Sequence, residues 1–301
     1  MKKTFLLLAT MLISGYSIAQ DLESQIKSIK PLVIEAPTNF AGKELPINNA
    51  KKITLKTISR TSNNITDDDE WIYKHAEGMP YQKSWYGENI AETDFDKFLN
   101  VPLKFENLYR GNFEEHNDYC IVTYGENKFN REIGYDCNVV VIFNKELSEI
   151  KAILDFREVV KAFIKFVDPS TPEEDYFTNF ICPTFRGYTE DGDIFYISMS
   201  HNTYSSSSKG YNSYLLAIEK ATGKIKWMTK PLTCNSQFVV IDNSIVCGYG
   251  FSGEKHYMYV VDKNTGRRSQ TLLVLKTPEL ISIEGKNLFV RTYSYDYKFA
   301  F

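Results

Sequence analysis

The stretch Tyr214-Leu-Leu-Ala-Ile-Glu-Lys-Ala-Thr-Gly-Lys-Ile-Lys-Trp227 decides the fold, because the chain repeats it. Forty-three residues further on stands Tyr257-Met-Tyr-Val-Val-Asp-Lys-Asn-Thr-Gly266, which sets Asp262 on Glu219 and Thr265-Gly266 on Thr222-Gly223. A second landmark keeps the same period. Phe238-Val-Val-Ile-Asp-Asn-Ser-Ile-Val-Cys-Gly-Tyr249 mirrors Leu280-Ile-Ser-Ile-Glu-Gly-Lys-Asn-Leu-Phe-Val-Arg291, with Ile245 and Leu288 again 43 residues apart. Each of these reads as two apolar strands around a polar turn, Asp242-Asn243 or Glu284-Gly285.

Short strands recurring at this period predict an all-β fold, a β-propeller of four-stranded antiparallel blades. Four strands of about five or six residues plus their turns consume roughly 40–45 residues. The hairpin supplies the two inner strands, the Tyr-Leu-Leu-Ala-Ile run the third, and Lys224 to Trp227 opens the fourth. Gly223 permits a positive φ at the turn, while Thr222 and Glu219 can satisfy loose backbone groups. Trp227 is then placed to close the blade edge against its neighbour.

Upstream the pattern loosens. Phe185 to Ile197 is the same hairpin with an Asp191-Gly192 turn, and a longer loop at Ser205 to Ser208 follows it. Tyr119 to Tyr124 with Val139 to Ile150 is a degenerate copy in which Leu147-Ser148 replaces Thr-Gly. Val159 to Tyr176 between them reads as a surface loop with a helix-compatible start, an eroded blade being the alternative. The last copy, ending Ser294 to Phe301, has enough chain for a third strand but not a fourth. Lys51 to Ser59 alternates polar and apolar residues and is expected to supply that strand from the N-terminal side, closing the ring. Residues 20–50 read as a Pro-punctuated leader and 51–301 as the propeller, with repeats clearest over 190–291. Residues 60–117, with Trp71, Tyr73, Tyr81 and Trp85, suggest buried structure with no placeable strands.

The chain opens Met1-Lys2-Lys3, an apolar run from Phe5 to Ile13 and a small-x-small site at Ser17-Ile18-Ala19. This predicts a secretory signal peptide over residues 1–19, cut near Ala19-Gln20, and an exported, periplasmic or extracellular protein. The run is shorter than the roughly 20 residues a spanning helix needs, so no transmembrane segment is expected in the mature chain. Removing Lys2 and Lys3 takes the formal charge from −3 to −5, which argues against nucleic acid as a partner. The aromatic content of 14%, with twenty Tyr and twenty Phe, favours β structure. Five cysteines leave at least one unpaired if export oxidises them. Cys120, Cys137 and Cys247 fall inside apparent strands and read as small buried hydrophobes, and Cys182 and Cys234 stand at matching places before successive first strands, which makes them spatial neighbours without making them bonding partners.

Leu215 to Trp227 resembles the repeat of the quinoprotein-like (PQQ-like) β-propellers, which carry an Ala-x-Asp-x-x-Thr-Gly-x-x-x-Trp core. Ala217, Glu219, Thr222, Gly223 and Trp227 match it with Glu for Asp, and the next copy keeps Asp262, Thr265 and Gly266 but has Gln270 where Trp belongs. The resemblance implies the architecture. That superfamily holds quinone-cofactor dehydrogenases and non-enzymatic propellers, including a scaffold lipoprotein of outer-membrane barrel assembly, and fold alone does not choose between them. The dehydrogenases are much longer chains with a vicinal cysteine pair and a calcium site. This chain has no adjacent cysteines, so no cofactor is expected.

Asp67-Asp-Asp-Glu70 is a run of neighbouring carboxylates that fits no known Ca²⁺ loop, and Asp191-Gly-Asp193 is explained by its turn. His75, His116, His201 and His256 are far apart, although His201 and His256 follow corresponding second strands and could share a face. No nucleophile elbow, Walker loop or dinucleotide fingerprint is present. The stronger binding signal is aromatic: Tyr204, Tyr211, Tyr249, Phe251, Tyr257, Tyr293 and Tyr295 recur around the loops between second and third strands. Such rings on one rim form a platform for a protein, peptide or glycan, or else pack between blades. The expected function is non-catalytic binding. A propeller enzyme (glycosidase, lyase or reduced quinoprotein) and a scaffold in envelope assembly are the alternatives.

Overall fold

The computed structural model describes Leu22 and residues 24–63, 101–116, 118–125, 138–164, 183–201 and 204–301. The signal-peptide reading, Asp67 to Glu70, His75, the tryptophans at 71 and 85, Tyr73, Tyr81, Cys137 and Cys182 lie outside the described residues. The chain divides into two compact units, Met1–Val33 with Gly87–Arg157 and Ile34–Tyr86 with Glu158–Phe301.

The first unit holds one sheet of order β1-β7-β6-β5-β4-β3, made from β1 (Leu32–Val33), β3 (Lys104–Phe105), β4 (Leu108–Glu115), β5 (Tyr119–Gly125), β6 (Val139–Asn144) and β7 (Ile150–Asp155). Strands β4 to β7 form an antiparallel meander, and β1 adds to β7 in parallel. This is the degenerate copy, and β4 gives it the first strand that the sequence did not reveal. Val122, Tyr124, Val141, Phe143 and Ile153 form its core. Its third-to-fourth turn has the span of the Thr-Gly turns: Asn144 N bonds Glu149 O just as Asp262 N bonds Arg267 O. With no glycine available, buried Leu147 takes the left-handed conformation (φ 54).

The second unit stacks three sheets. The first comprises β8 (Pro183–Thr184), β9 (Tyr188–Asp191), β10 (Ile194–His201), β11 (Tyr214–Glu219) and β12 (Ile225–Met228), with β8 and β9 sharing the outer side of β10. The second is the four-stranded meander β13 (Phe238–Ile241), β14 (Ser244–Tyr249), β15 (His256–Asp262), β16 (Arg268–Val274). The third has the order β17-β18-β19-β2, from β17 (Pro278–Glu284), β18 (Asn287–Thr292), β19 (Tyr295–Ala300) and β2 (Lys56–Ser62). The N-terminal strand therefore completes the last sheet as the sequence suggested, pairing Tyr295 with Ser62 through Ala300 with Lys56. It begins later than the alternation implied. Leu55 is buried before the strand starts, and all seven strand residues are exposed along the sheet edge.

Successive residues of β14 explain the stacking. Ile245, Cys247 and Tyr249 pack with Leu215, Ala217 and Trp227 of the preceding sheet, whereas Val246 packs with Leu288, Val290 and Phe299 of the following one. A strand buried on both faces needs apolar residues at both periods, at about 1.5–3 kcal/mol for each large side chain. That is why Ser244 to Tyr249 reads as a nearly unbroken apolar run.

Every pairing of third and fourth strands carries a bulge at the same place. Register slips between Ala217 and Ile218, Val260 and Val261, Ile142 and Phe143, and Lys298 and Phe299. The extra residues are Lys226, Ser269, Lys151 and Ile58, all exposed. This register makes Trp227, Gln270, Ala152 and Ser59 equivalent. Trp227 donates from its indole to Lys263 O (3.1 Å) and lies flat on the next turn, with its Cε3 2.7 Å from where a Cβ on Gly266 would stand. Gln270 has no such turn to cover, because β19 and β2 are not consecutive in the chain. Its amide instead grips Leu55, accepting from Leu55 N and donating to Leu55 O, each at 2.8 Å.

One expectation needs correction. The segment starting at Val159 does open in a helix, α1 (Arg157–Ile164), but where it is described it is not a surface loop, since it buries Val159, Val160 and Phe163. Residues 34–55 run as a strap over the turns of the second unit. Glu35 N bonds Gly223 O, Lys43 pairs with Met228, Leu45 N bonds Thr265 O, and Lys52 reaches Asp262 at 2.9 Å. The repeat's turns thus bind the strap through their carbonyls and through Asp262.

Candidate functional site

The antiparallel order places the loops between second and third strands at one end of the second unit, opposite the Thr-Gly turns. Tyr204 lies in the loop from β10 to β11 and Phe251 in the loop from β14 to β15. Their rings meet edge to face with centroids 4.8 Å apart, and Tyr204 remains 46% exposed.

Glu254, from the same loop as Phe251, ties the two loops together. Its carboxylate accepts the backbone N–H of Ser205 (2.6 Å) and the hydroxyl of Tyr249. Burial alone would raise the Glu254 pKa, but the bonds from Tyr249 and Ser205 and the nearby His256 hold it below the usual carboxylate value. Burial, followed by Glu254, pushes Tyr249 up, so that hydroxyl stays a donor. The Tyr204 loop is itself wound into turns: Gly210 N bonds Ser205 O at 2.7 Å, and Lys209 and Gly210 both have positive φ. His256 at the start of β15 meets Thr277 Oγ1 at 3.1 Å, and burial followed by Lys276 lowers its pKa.

The structure brings Tyr204, Phe251 and Tyr249 together, with Tyr257 opposite Tyr249 in the ladder. Tyr249 is buried, and Tyr257 is partly buried with its ring 5.6 Å from Tyr259. Tyr211 is a partly buried residue of the Tyr204 loop. Tyr293 lies in the turn from β18 to β19 and Tyr295 opens β19, where Arg60 lies 5.5 Å over the Tyr295 ring. Sequence reasoning missed Glu254 and Ser205, since a lone glutamate in a loop has no signature before its partners are known. Of the repeat residues, Glu219 accepts from Thr222 Oγ1, and Asp262 bonds Asn264 N and Asn48; all serve the turns and the strap.

Among the described residues, no group of three or more His, Cys, Asp or Glu is placed to hold a metal. His201 ends β10 buried, with burial pushing its pKa down to about 4, so it does not share an open face with His256. Its ring lies 4.8 Å from that of Phe163. His116, in the first unit, stacks on Tyr119. Asp191 spends its carboxylate on Lys263 (2.6 Å) at a hairpin turn. Glu279, at the start of β17, is pushed up to about 7 by burial against the opposing effect of Arg186.

No protein-family model matches the chain, and no curated protein matches it in sequence. Among solved structures, BamB from Moraxella catarrhalis overlays it at 8% identity over 64% of this chain and 45% of that one, with a TM-score of 0.35. The WD40 beta propeller domain of Doa1 does so at 8% identity over 62% of each chain, with a TM-score of 0.33. A europium-containing methanol dehydrogenase gives 14% identity over 54% of this chain and 24% of that one, with a TM-score of 0.29. The chain thus spans less than half of the BamB structure it overlays. Overlays this slight carry no argument, and the fold description rests on the strand order and register above.

Proposed function

We propose that the chain is an exported, non-catalytic β-propeller of the quinoprotein-like repeat type that binds a protein, peptide or glycan through loops on one rim. Three stacked sheets, one of five strands and two of four, and a meander of the same design in the first unit support the propeller reading, and the N-terminal strand in the last sheet supports closure in that manner. The observation that carries the binding reading is the exposed Tyr204, braced by Phe251 over the Glu254 clamp. An aromatic ring held rigid at a loop tip gives contact area with little ordering entropy left to lose. Among the described residues no helix is long and apolar enough to cross a membrane, and export rests on the signal-peptide pattern.

The test is site-specific photocrosslinking with the reactive side chain at position 204 and, as control, at Lys286 in the turn at the opposite end. Each variant is incubated with the envelope fraction of the producing cell. A product formed from position 204 and not from 286 supports the reading. Equal labelling from both positions, or none from 204, refutes it.

A further inference from the structure

Cys234 and Cys247 are both completely buried and both reduced, and they lie in one apolar cluster. Cys247 sits mid-strand in β14, and Cys234 lies in the 229–237 connection that leads from β12 to β13. That connection is fastened to β14 on both sides of Cys234. Cys247 Sγ reaches Thr233 O at 3.6 Å, and Asn235 N donates to Gly248 O at 3.0 Å. Ser236 Oγ accepts from Gly248 N at 3.1 Å. Cys234 Sγ reaches Ser236 O at 3.4 Å, so each thiol bonds a carbonyl of the same short connection and the two side chains share one buried cluster.

We propose that Cys234 and Cys247 are a disulfide site that locks the 229–237 loop onto β14. Two thiols of one buried cluster, on segments fastened together on either side, need only turn toward each other to reach bond length, about 2.05 Å, and the movement falls on the connection rather than the strand. With glutathione disulfide as oxidant, one S–S bond forms between the cysteines and one breaks in glutathione. The two thiol protons and the two electrons leave as two molecules of reduced glutathione. Burial, and then the neighbouring Cys234, raise the Cys247 thiol well above its ordinary value, so the folded thiol pair reacts slowly. The bond therefore forms as the chain folds in an oxidising compartment and is sealed afterwards. Arg268 extends the effect, since it donates to Pro231 O and Thr233 Oγ1 of the same loop while lying 4.3 Å over the Tyr259 ring.

The sequence makes the test convenient, because no Lys or Arg stands between Pro231 and Glu254. Both cysteines fall in one tryptic peptide, and Asp242 between them allows a second cut. The full chain is reduced, unfolded, refolded in a glutathione redox buffer, alkylated in acid and mapped by mass spectrometry. The expected peptide is unalkylated and lighter by two hydrogen atoms, and it stays linked after cleavage at Asp242. Recovery of both cysteines alkylated, or either linked to Cys120, Cys137 or Cys182, overturns the proposal. The oxidised protein is expected to melt about 5–10 °C above the reduced one, a difference that vanishes in Cys234→Ala and survives in Cys120→Ala. An unchanged melting temperature refutes the locking of the loop.

Discussion

Gly266→Ala tests whether the repeat holds neighbouring sheets together through Trp227. The added methyl meets two separate penalties. Gly266 has φ +75, where an alanine costs about 1–2 kcal/mol. The new Cβ also stands 2.7 Å from Cε3 and 2.9 Å from Cδ2 of the indole, so a fully buried ring must shift, for about 1–3 kcal/mol more. Gly285→Ala isolates the first penalty, since Gly285 has φ +59 and nothing lies within 4 Å of an added Cβ. We therefore expect a loss of about 2–5 kcal/mol for Gly266→Ala against about 1–2 for Gly285→Ala. Trp227→Ala alone costs about 3–5 kcal/mol and empties the space above Gly266. In that background Gly266→Ala should fall to the backbone penalty, leaving a coupling of about 1–3 kcal/mol. Urea unfolding followed by circular dichroism reads all four corners of the cycle. Equal costs for Gly266→Ala with and without Trp227 refute the reasoning, because the indole would then not be resting on that turn.

Three further outcomes follow from particular contacts. Gln270→Leu strands both backbone groups of Leu55 and should cost about 1–3 kcal/mol, with faster amide exchange concentrated at residues 55–62. Two buried groups give opposite pH slopes. His201, held neutral with a pKa near 4 against about 6.5 unfolded, removes stability as pH falls through that window; Glu279, raised to about 7 from about 4.3 unfolded, removes stability as pH rises through its own. His201→Phe should therefore leave stability falling from pH 4 to 7, and Glu279→Gln should leave it rising, each by up to about 3 kcal/mol in urea midpoints measured across pH. Tyr204→Ala with Phe251→Ala should weaken capture of the crosslinked partner by about tenfold or more while moving the melting temperature little, since Tyr204 is 46% exposed and Phe251 only partly buried.

The sheets were legible wherever side-chain pattern decides structure. The period of 43 located the hairpins and the third strands of the second unit, and the truncated last copy pointed to an N-terminal strand. What escaped was carried by the backbone. The strap over 34–55 is held by turn carbonyls such as Gly223 O and Thr265 O, which any sequence presents, so its polar composition read as a leader. The common bulge exposes Lys226, Ser269, Lys151 or Ile58, four unlike residues with no shared signature. Gln270 looked like decay of the repeat until the register set it beside Leu55, where an amide can satisfy a donor and an acceptor that an indole cannot. At the rim, the aromatic residues announced themselves but their burial did not. Tyr249 and Tyr204 look alike in sequence, and only Glu254 distinguishes the buried anchor from the exposed ring.

The most direct test of the account is native-state hydrogen exchange on the peptide covering residues 55–63, with and without the strand at 295–300. If β2 is the fourth strand of the last sheet, its ladder-bonded amides exchange together with those of β19, orders of magnitude below the free-chain rate, and deleting 295–301 releases them. Exchange of residues 56–62 at the free-chain rate in the intact protein, or protection that survives the deletion, contradicts it.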